Sequence, residues 1–358
     1  PTGDTWTGAL PSGNDNWSIP DNWQDISVPT PADTVVFNAT DPGRRSVVDP
    51  AFPGTIAGLV DTGEAAHPLE FQRTLQVDGP ASIHTANEQS TGSLTILNTQ
   101  VTLHLTDLNV GINATGSGTA NGYLLLNSGA KIDATDVGGV SIGTAIAGSA
   151  YGAIRLASNS TLNVGAAAAL ADINIGWNYG ANPTTSVGVL DALNPAASVN
   201  WTLDELYIGR SDYGWGTATG TLRWNQTEAI LANAIYLAWG GGTSATLDVP
   251  TGGTLQLGTA AAPVGFLGIA GNYTGGAKVS ADLNFSLTNP TFTAHIGTEL
   301  RIGSGSSGDS EGLLNLASNS TLNVGSAAAL ADINIGFNAA PNPTTSVGVL
   351  DALNPAAS

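Results

Sequence analysis

Ile173-Asn174-Ile175-Gly176 is one of nine copies of a short pattern: an apolar residue, a variable residue, a second apolar residue, and then usually Gly or Ala. We call this pattern the strand phrase. The other copies begin at Leu75, Leu108, Val140, Leu206, Ile235, Leu267, Leu300 and Ile333. The spacing of successive starts is nearly constant, and only the step from Leu206 to Ile235 is clearly shorter. A period this regular predicts a repeat architecture and outweighs any local motif.

The strand phrase has the chemistry of a β-strand that ends at a corner. Its two apolar side chains point to one face, whereas the residue between them points to the other. The glycine that follows supplies a positive φ, or room for a close backbone approach, where the chain turns. Stacked copies would make ladders of Ile, Leu and Val inside and polar residues outside. The pattern therefore predicts a parallel β-solenoid.

Two further short strands follow the phrase. The second strand is predicted at 123–126, 153–156, 188–190, 221–224, 245–249 and 313–316, and the third at 131–133, 161–164, 199–201, 254–257 and 321–324. Three strands with three corners predict one triangular coil per repeat of about 32 residues. A β-sandwich of separate hairpins is disfavoured, because Asn-Gly turns between paired strands are nearly absent.

Residues 1–74 do not follow this period and are rich in Trp, Pro, Asp and Asn. They predict an N-terminal cap and a transition into the coils, because a solenoid needs an atypical first unit that covers its open end. Trp6, Trp17 and Trp23 are the predicted aromatic cluster of this cap. Residues 75–358 are predicted to form the solenoid, with about nine coils.

A longer repeat lies on top of the coils. Residues 156–198 and 316–358 differ at only five positions, namely 166/326, 177/337, 179/339, 180/340 and 181/341. The offset between the two copies corresponds to five coils and indicates duplication of a five-coil module. The second copy stops in mid-coil with no visible closing cap, so we expect head-to-tail stacking through this end. The competing expectation is a longer chain with further coils.

The composition argues against several kinds of partner. Only 10% of the residues are charged and the formal net charge is −19, which disfavours nucleic acid and anionic membranes. No apolar run approaches the ~20 residues of a transmembrane helix, so no membrane insertion is expected. Cysteine and methionine are absent, even at position 1. We therefore expect an extracellular or cell-surface product whose signal peptide has been removed.

Catalytic and metal-binding patterns are weak. Acid–base chemistry on polysaccharides needs clustered carboxylates, and the nine Lys and Arg residues that could assist them are spread along the chain. Asp204 and Glu205 are adjacent and are predicted to point to opposite faces of a strand. We expect no enzyme activity, catalytic residue or cofactor. Asn14-Asp15-Asn16 with Asp21 and Asp25 could place oxygens around calcium, but polar turns explain them more simply.

Aromatic residues recur just after the strand phrase. They are Trp177, Tyr179, Tyr213, Trp215, Trp239, Tyr273 and Phe337. If the coils stack in register, these residues would lie along one ridge that contacts a glycan or another chain. In the alternative, which we favour, they cover the loop backbone of the neighbouring coil.

Two features together resemble a known group of proteins. One is the N-terminal series Trp6-Thr7-Gly8, Asn16-Trp17, Asn22-Trp23 and Pro31–Phe37, and the other is the repeated unit Gly-x-Leu-x-Leu … Thr-Leu-x-Val. Both look like the exported β-strand-repeat proteins of bacteria, namely autotransporter passenger-associated repeats and surface proteins with a C-terminal sorting signal. The resemblance implies a right-handed parallel β-helix at the cell surface or in an extracellular matrix.

The sequence thus predicts an all-β extracellular structural protein, a solenoid subunit that self-associates end to end into a filament, sheath or surface layer. The first alternative is an adhesin or glycan-binding surface protein that uses the aromatic ridge. The second alternative is a polysaccharide-active enzyme, because parallel β-helices also host such enzymes.

Overall fold

The structure is a computed structural model of the chain. It describes residues 3–8, 14–37, 45–62, 66–83, 92–96, 102–114, 118–135, 139–180, 184–326, 329–338 and 345–352. Over these residues the chain forms a parallel β-solenoid of about nine coils, with about 32 residues in each coil. They contain no α-helix and a single 3-10 turn, Pro20–Asn22. The predicted all-β solenoid is confirmed.

The strands are numbered β1 to β28 in chain order. Their bounds are β1 Gly3–Thr5, β2 Thr34–Phe37, β3 Ser46–Val48, β4 Thr55–Ile56, β5 Gly58–Asp61, β6 Ala66–Phe71, β7 Leu75–Ile83, β8 Gly92–Ile96, β9 Thr102–Asn113, β10 Thr119–Leu126, β11 Lys131–Ala134, β12 Val140–Ala145, β13 Ser149–Leu156 and β14 Thr161–Val164. They continue as β15 Ala171–Asn178, β16 Thr185–Ala192, β17 Ser198–Ser211, β18 Thr217–Trp224, β19 Leu231–Trp239, β20 Thr243–Asp248, β21 Thr254–Leu257, β22 Val264–Asn272, β23 Val279–Asn284, β24 Thr291–Gly305, β25 Ser310–Asn315, β26 Ser320–Val324, β27 Asp332–Ile335 and β28 Ser346–Asp351.

Three surfaces run along the solenoid. The second strands of the coils stack into an 11-stranded sheet, from β3 through β13 and β18 to β28, which we call the second-strand face. The strand phrases and the third strands share a 17-stranded sheet, because long strands such as β17 and β24 pass through the corner between them. We call these two surfaces the phrase face and the third-strand face. In coils with such a long strand, the corner between the third-strand face and the phrase face is a bend within one strand.

The inward residues of the strand phrases build the core as predicted. The second apolar position forms an in-register ladder in which every side chain is at most 2% exposed: Val110, Ile142, Ile175, Ile208, Leu237, Ile269 and Ile302. Each buried Ile or Leu contributes roughly 1.5–3 kcal/mol through removal of apolar surface from water. These ladders thus stabilise the stacking of coils alongside the parallel backbone hydrogen bonds.

The position after the ladder residue takes a left-handed backbone conformation. Gly176 has φ +73°, and a Cβ there would overlap the carbonyl oxygen of Thr219. Ala238 and Ala270 occupy the same position in their coils with φ +54° and +59°. A non-glycine residue in this region costs roughly 1–2 kcal/mol, so these two coils carry strain that the others avoid.

One copy of the phrase was assigned to the wrong face. Leu75–Val77 pairs with Leu103–Leu105, which belongs to the third-strand face, whereas Ala81–Ile83 pairs with Leu108–Val110 of the phrase face. Both segments alternate apolar and polar residues, so the alternation alone does not distinguish the two faces. The step from Ile83 to Val110 is shorter than the later steps, because the early coils are shorter.

The parallel pairing also continues on the N-terminal side of residue 75. Strand β1 pairs with β2, β2 with β5, and β5 with β7, all in parallel. Trp6, Trp17 and Trp23 lie together at this end, each at most 1% exposed, with ring centroids 5.1 and 5.5 Å apart in edge-to-face contacts. Phe52 adds a further edge-to-face contact to Trp17 at 5.2 Å. The tryptophan cluster is thus continuous with the first coils rather than separate from them.

The two copies of the duplicated segment differ in burial. Ile173 and Ile175 are fully buried, because β17 stacks on them, whereas Ile333 and Ile335 are 51% and 45% exposed. No described coil follows the second copy, and residues 353–358 lie outside the described part of the chain. The same apolar residues are therefore core in one copy and surface in the other.

Candidate functional site

The outward side of the phrase face carries a continuous run of aromatic and arginine side chains. Two in-register columns supply most of it. The first is the middle residue of the phrase, which reads Ser141, Asn174, Tyr207, Tyr236, Gly268, Arg301 and Asn334. The second is the residue after the left-handed corner, which reads Thr144, Trp177, Arg210, Trp239, Gly271 and Ser304. We define the aromatic face as Trp177, Tyr179, Tyr207, Arg210, Tyr213, Tyr236, Trp239, Phe266, Tyr273, Arg301 and Phe337.

The centre of the aromatic face is a stack of rings from three consecutive coils. Tyr207 and Tyr236 are parallel, with centroids 4.4 Å apart and planes 8° apart. Phe266 of the next coil lies 5.2 Å from Tyr236. Burial raises the pKa of Tyr207 and of Tyr236, and the nearby carboxylate of Glu205 acts in the same direction. Both hydroxyls therefore stay neutral at ordinary pH, and the three stacked rings carry no charge.

Trp239 lies over the backbone of the following coil. Gly268 and Gly271 leave room for its indole, because a Cβ at Gly271 would overlap the ring and one at Gly268 would come within 2.9 Å of it. Tyr236 and Tyr273 flank the indole, each with its ring centroid 4.6 Å away. Trp239 thus covers neighbouring backbone, which is the role that the sequence analysis favoured for these aromatic residues.

Arg210 connects the ring stack, at Tyr207, with Trp177 of the preceding coil. Its guanidinium lies 4.2 Å from the centroid of Tyr207 and 4.8 Å from that of Trp177. The Asp212 carboxylate accepts a hydrogen bond from Arg210 Nε at 2.8 Å and another from Trp177 Nε1 at 3.0 Å. The charge of Arg210 is therefore balanced, and the Trp177 ring is held in one orientation.

Arg301 has the corresponding role further along the face. Its guanidinium lies 5.3 Å from Phe266 and 5.6 Å from Phe337. Arg301 donates hydrogen bonds to Glu299 at 2.6 and 2.8 Å and to the Tyr273 hydroxyl at 2.7 Å. Burial opposes the positive charge, but the hydrogen bonds to Tyr273 and Glu299 outweigh it and raise the pKa of Arg301. This arginine is consequently a permanent, paired cation.

The exposed edge of the aromatic face lies where β15 and β17 end. Tyr179 is 44% exposed and Tyr213 is 46% exposed, with ring centroids 5.7 Å apart. A hydrogen bond between their side chains raises the pKa of Tyr213. Trp177 lies 5.4 Å from Tyr179 and connects the pair to Arg210. Tyr179 and Tyr213 are thus more exposed than Trp177, and the three residues form the exposed edge of the aromatic face.

The predicted ridge residues separate into three groups and one isolated residue. Trp177, Tyr179 and Tyr213 lie together, whereas Trp239 belongs to the packed centre and Phe337 lies by Arg301. Trp215 is 71% exposed and has no ring contact within the described residues. Trp215 therefore does not extend the face.

Five members of the aromatic face were missed in the sequence: Tyr207, Arg210, Tyr236, Phe266 and Arg301. The alternation of the phrase already places Tyr207, Tyr236 and Arg301 outward. The aromatic pattern in the sequence is evident after the phrase, whereas the middle residues are aromatic in only two coils, Tyr207 and Tyr236. The two outward columns, taken in register, contain four of these five residues; Phe266 lies outside both, because it precedes the phrase at Leu267.

Carboxylates surround the aromatic face. They are Asp172, Asp204, Glu205, Asp212, Glu299 and Asp332, and with Arg210 and Arg301 they give this surface a formal charge of −4. Burial raises the pKa of Asp172.

The prediction that Asp204 and Glu205 point to opposite faces is wrong, because Leu203 and Leu206 are both buried and the strand is irregular between them. Asp204 accepts a hydrogen bond from Asn233 at 2.8 Å, and Glu205 contacts the Tyr236 hydroxyl at 3.5 Å.

The polar N-terminal segment forms hydrogen-bonded turns. The Asn22 side-chain amide donates to the carbonyl oxygens of Asn14 and Asn16 at 2.8 and 2.9 Å. Asp25 accepts from the backbone N–H and hydroxyl of Ser27. In the part of the chain that the structure describes, no three His, Asp or Glu side chains are placed to hold a metal ion. Asn14, Asn16 and Asp25 thus take part in turn hydrogen bonds, as the simpler interpretation expects.

Comparisons with known proteins add no relative. No protein-family model matches the chain, and searches of curated proteins and of solved structures returned no similar protein. Within the described residues, no helix has the length and apolar character needed to cross a bilayer. Functional inference therefore depends on the fold and on the aromatic face.

Proposed function

We propose that the chain is an exported structural protein, a β-solenoid subunit of an extracellular filament, sheath or surface layer. The observation that carries the proposal is the unbroken parallel pairing that connects β1, near the first described residue, with β27. Nine coils at ~4.8 Å per coil make a stiff rod about 40 Å long. Such a rod has the form of a building unit, and the proposal assigns it no catalytic activity.

End-to-end stacking is the assembly mode in this proposal. The last described coil exposes Ile333, Ile335, Val347 and Val349 by 42–51%. A further coil, whether of the same chain or of a second molecule, would cover Ile333 and Ile335, as β17 covers Ile173 and Ile175, and would pair with the free strand edges. The acidic surface opposes sideways association of rods, which favours thin fibres.

Electron microscopy of the native material, together with its intact mass, tests the proposal. We expect thin fibres that are much longer than the rod that one chain of the measured mass can form. Ile333→Lys with Ile335→Lys should disperse the fibres and leave folded rods, because both side chains are already half exposed. Ser141→Lys, at an outward position of the phrase face, is the control and should leave the fibres intact. Free rods in the unmodified protein would refute the assembly, and a mass large enough for one chain to span the whole fibre would make the rod covalently continuous instead.

A second candidate function, an adhesin or glycan-binding surface protein, is favoured by one specific observation. Tyr179 and Tyr213 are exposed aromatic rings next to the half-buried Trp177. Aromatic rings with a polar tip are typical of surfaces that bind amphipathic ligands such as sugars. A screen of the folded rod against polysaccharides tests this candidate, and the absence of any binding would remove it.

A further inference from the structure

We propose that the exposed edge of the aromatic face, formed by Trp177, Tyr179 and Tyr213, is a binding site for an uncharged polysaccharide. This inference rests on the second candidate function and names the ligand class and the residues that would hold it.

The first argument is the preorganised geometry of the three rings. Asp212 and Arg210 fix Trp177, and the Tyr179–Tyr213 contact fixes the two exposed tyrosines. A surface whose side chains are already ordered loses little conformational entropy when a ligand binds. Sugar rings have apolar C–H faces that pack on aromatic rings and hydroxyls that hydrogen-bond to tyrosine hydroxyls and carboxylates. The edge offers both kinds of contact.

The second argument comes from the duplicated segment. Four of the five differences between 156–198 and 316–358 fall between positions 177 and 181, and they replace Trp177 and Tyr179 by Phe337 and Ala339. The second copy still forms β26, β27 and β28 paired with the preceding coil, although β27 ends at Ile335, before Phe337, whereas β15 runs through Trp177 to Asn178. The pair is therefore not needed for its own coil to form these strands, and what it contacts is the next coil through Arg210 and Asp212, and the surface through Tyr179.

Charge selects the ligand class. The cation beside the exposed edge, Arg210, is already paired with Asp212, and Asp172, Asp204 and Glu205 of the same two coils add three negative charges. An anionic polysaccharide would be repelled and would find no free cation. A second copy of this surface would bring like charges together for the same reason. An uncharged sugar polymer meets neither obstacle.

The test compares two tyrosine pairs on different faces. Tyr179→Ala with Tyr213→Ala removes the proposed site, and both side chains are exposed, so the rod should stay folded. Tyr123→Ala with Tyr151→Ala is the matched control, since these rings contact each other at 5.3 Å on the second-strand face. Trp239 is unsuitable as a probe, because its removal would uncover the glycine backbone beneath it.

Binding of the full chain is measured by affinity electrophoresis and by tryptophan fluorescence in galactomannan, hydroxyethyl cellulose, soluble starch and polygalacturonate. We expect binding to at least one uncharged polymer and none to polygalacturonate. The Tyr179/Tyr213 variant should bind at least about tenfold more weakly, and the Tyr123/Tyr151 variant should bind like the unmodified chain.

The remaining outcomes would overturn the inference, and they show whether the site, the ligand class or glycan binding as a whole is wrong. Preference for polygalacturonate, or binding that survives loss of Tyr179 and Tyr213, would leave glycan binding in place and refute the assigned ligand class or site. Binding to no polymer would remove the second candidate function itself. Dimers that the Tyr179/Tyr213 variant disperses would assign this edge to self-association instead.

Discussion

Tyr207 and Tyr236 occupy the same position in consecutive coils, and their rings are stacked in parallel with centroids 4.4 Å apart. The separation is close to the ~4.8 Å spacing of adjacent strands. In-register stacking of coils therefore turns one outward sequence position into a column of rings. Arg210 and Trp239 complete the cluster from the neighbouring column.

Truncation of Tyr236 should destabilise the middle of the rod. Tyr236→Ala removes contacts with Tyr207, Trp239 and Phe266, and we expect a loss of about 1–3 kcal/mol because the ring is half-buried. Tyr236→Phe, which keeps the ring, should change the free energy of unfolding by less than about 0.5 kcal/mol. Denaturant unfolding measures both. Equal losses for Ala and Phe would show that the hydroxyl, not the ring, matters.

A charge in the core ladder should prevent folding. Ile175 is fully buried between Ile142 and Ile208, so Ile175→Asp places a carboxylate where it has no partner. Ser141→Ala is the outward control in the preceding coil and should be nearly neutral. Alternation alone would make Asn174 the natural control, but Asn174 is 6% exposed and accepts a hydrogen bond from Arg210 at 3.3 Å. Circular dichroism of the purified variants would contradict the prediction if both folded alike.

Gly-to-Ala and Ala-to-Gly substitutions at the left-handed corner position should have unequal effects on stability. Gly176→Ala forces a side chain into a left-handed conformation and against the Thr219 carbonyl, so we expect a loss of at least about 2 kcal/mol. Ala270→Gly releases strain but loses a buried methyl group and adds chain entropy, so it should stay within about 1 kcal/mol of the unmodified protein. Thermal unfolding of the two variants compares these effects. Similar losses at both positions would be inconsistent with this account of the corner.

The N-terminal end should become less stable as the pH rises from about 4 to 6. Burial, a hydrogen bond to Asp25 and the charges of Asp25 and Asp33 raise the pKa of Asp4 to about 6 from its ordinary 3.8. In this interval the folded state binds more protons than the unfolded state. The stabilisation is complete below about pH 4 and is lost as the pH passes about 6.

The Asp4 prediction is checked by carboxyl carbon NMR titration and by unfolding followed through tryptophan fluorescence, since Trp6 is nearby in the sequence. Asp4→Asn should weaken the pH dependence between about pH 4 and 6. Asp25 has a lowered pKa, chiefly because Ser27 donates to it, and so contributes in the opposite direction at lower pH. Unchanged pH dependence in Asp4→Asn would show that another group is responsible.

Much of the fold could be predicted from the chain alone, because coil stacking makes burial periodic. Ile175 and Ile302 are inward, and Gly176 has a positive φ, as the strand phrase predicts. The prediction was wrong where the period was irregular. Leu75–Val77 alternates like a phrase but belongs to the third-strand face. Asp204 and Glu205 lie at an irregular corner where simple alternation does not hold.

The candidate site was only partly predictable. The exposed edge with Trp177, Tyr179 and Tyr213 was among the predicted residues, whereas the stack of Tyr207 and Tyr236 was not. These two rings belong to different coils, and they meet only when the register between the coils is known. The opposite roles of Trp239, packed on glycine, and Tyr213, exposed, also depend on what the neighbouring coil presents.

Ile173-Asn174-Ile175 and Ile333-Asn334-Ile335 have the same sequence in the two copies of the duplicated segment. Their sequence by itself determined that each forms a strand with its isoleucines on one side, because alternation and the following glycine are local properties. Burial is not local. Ile175 is core and Ile335 is 45% exposed because a coil stacks on the first and no described coil stacks on the second. Only the tertiary structure decides which neighbour each strand receives, and with it which side chains become core, ring stack or accessible surface.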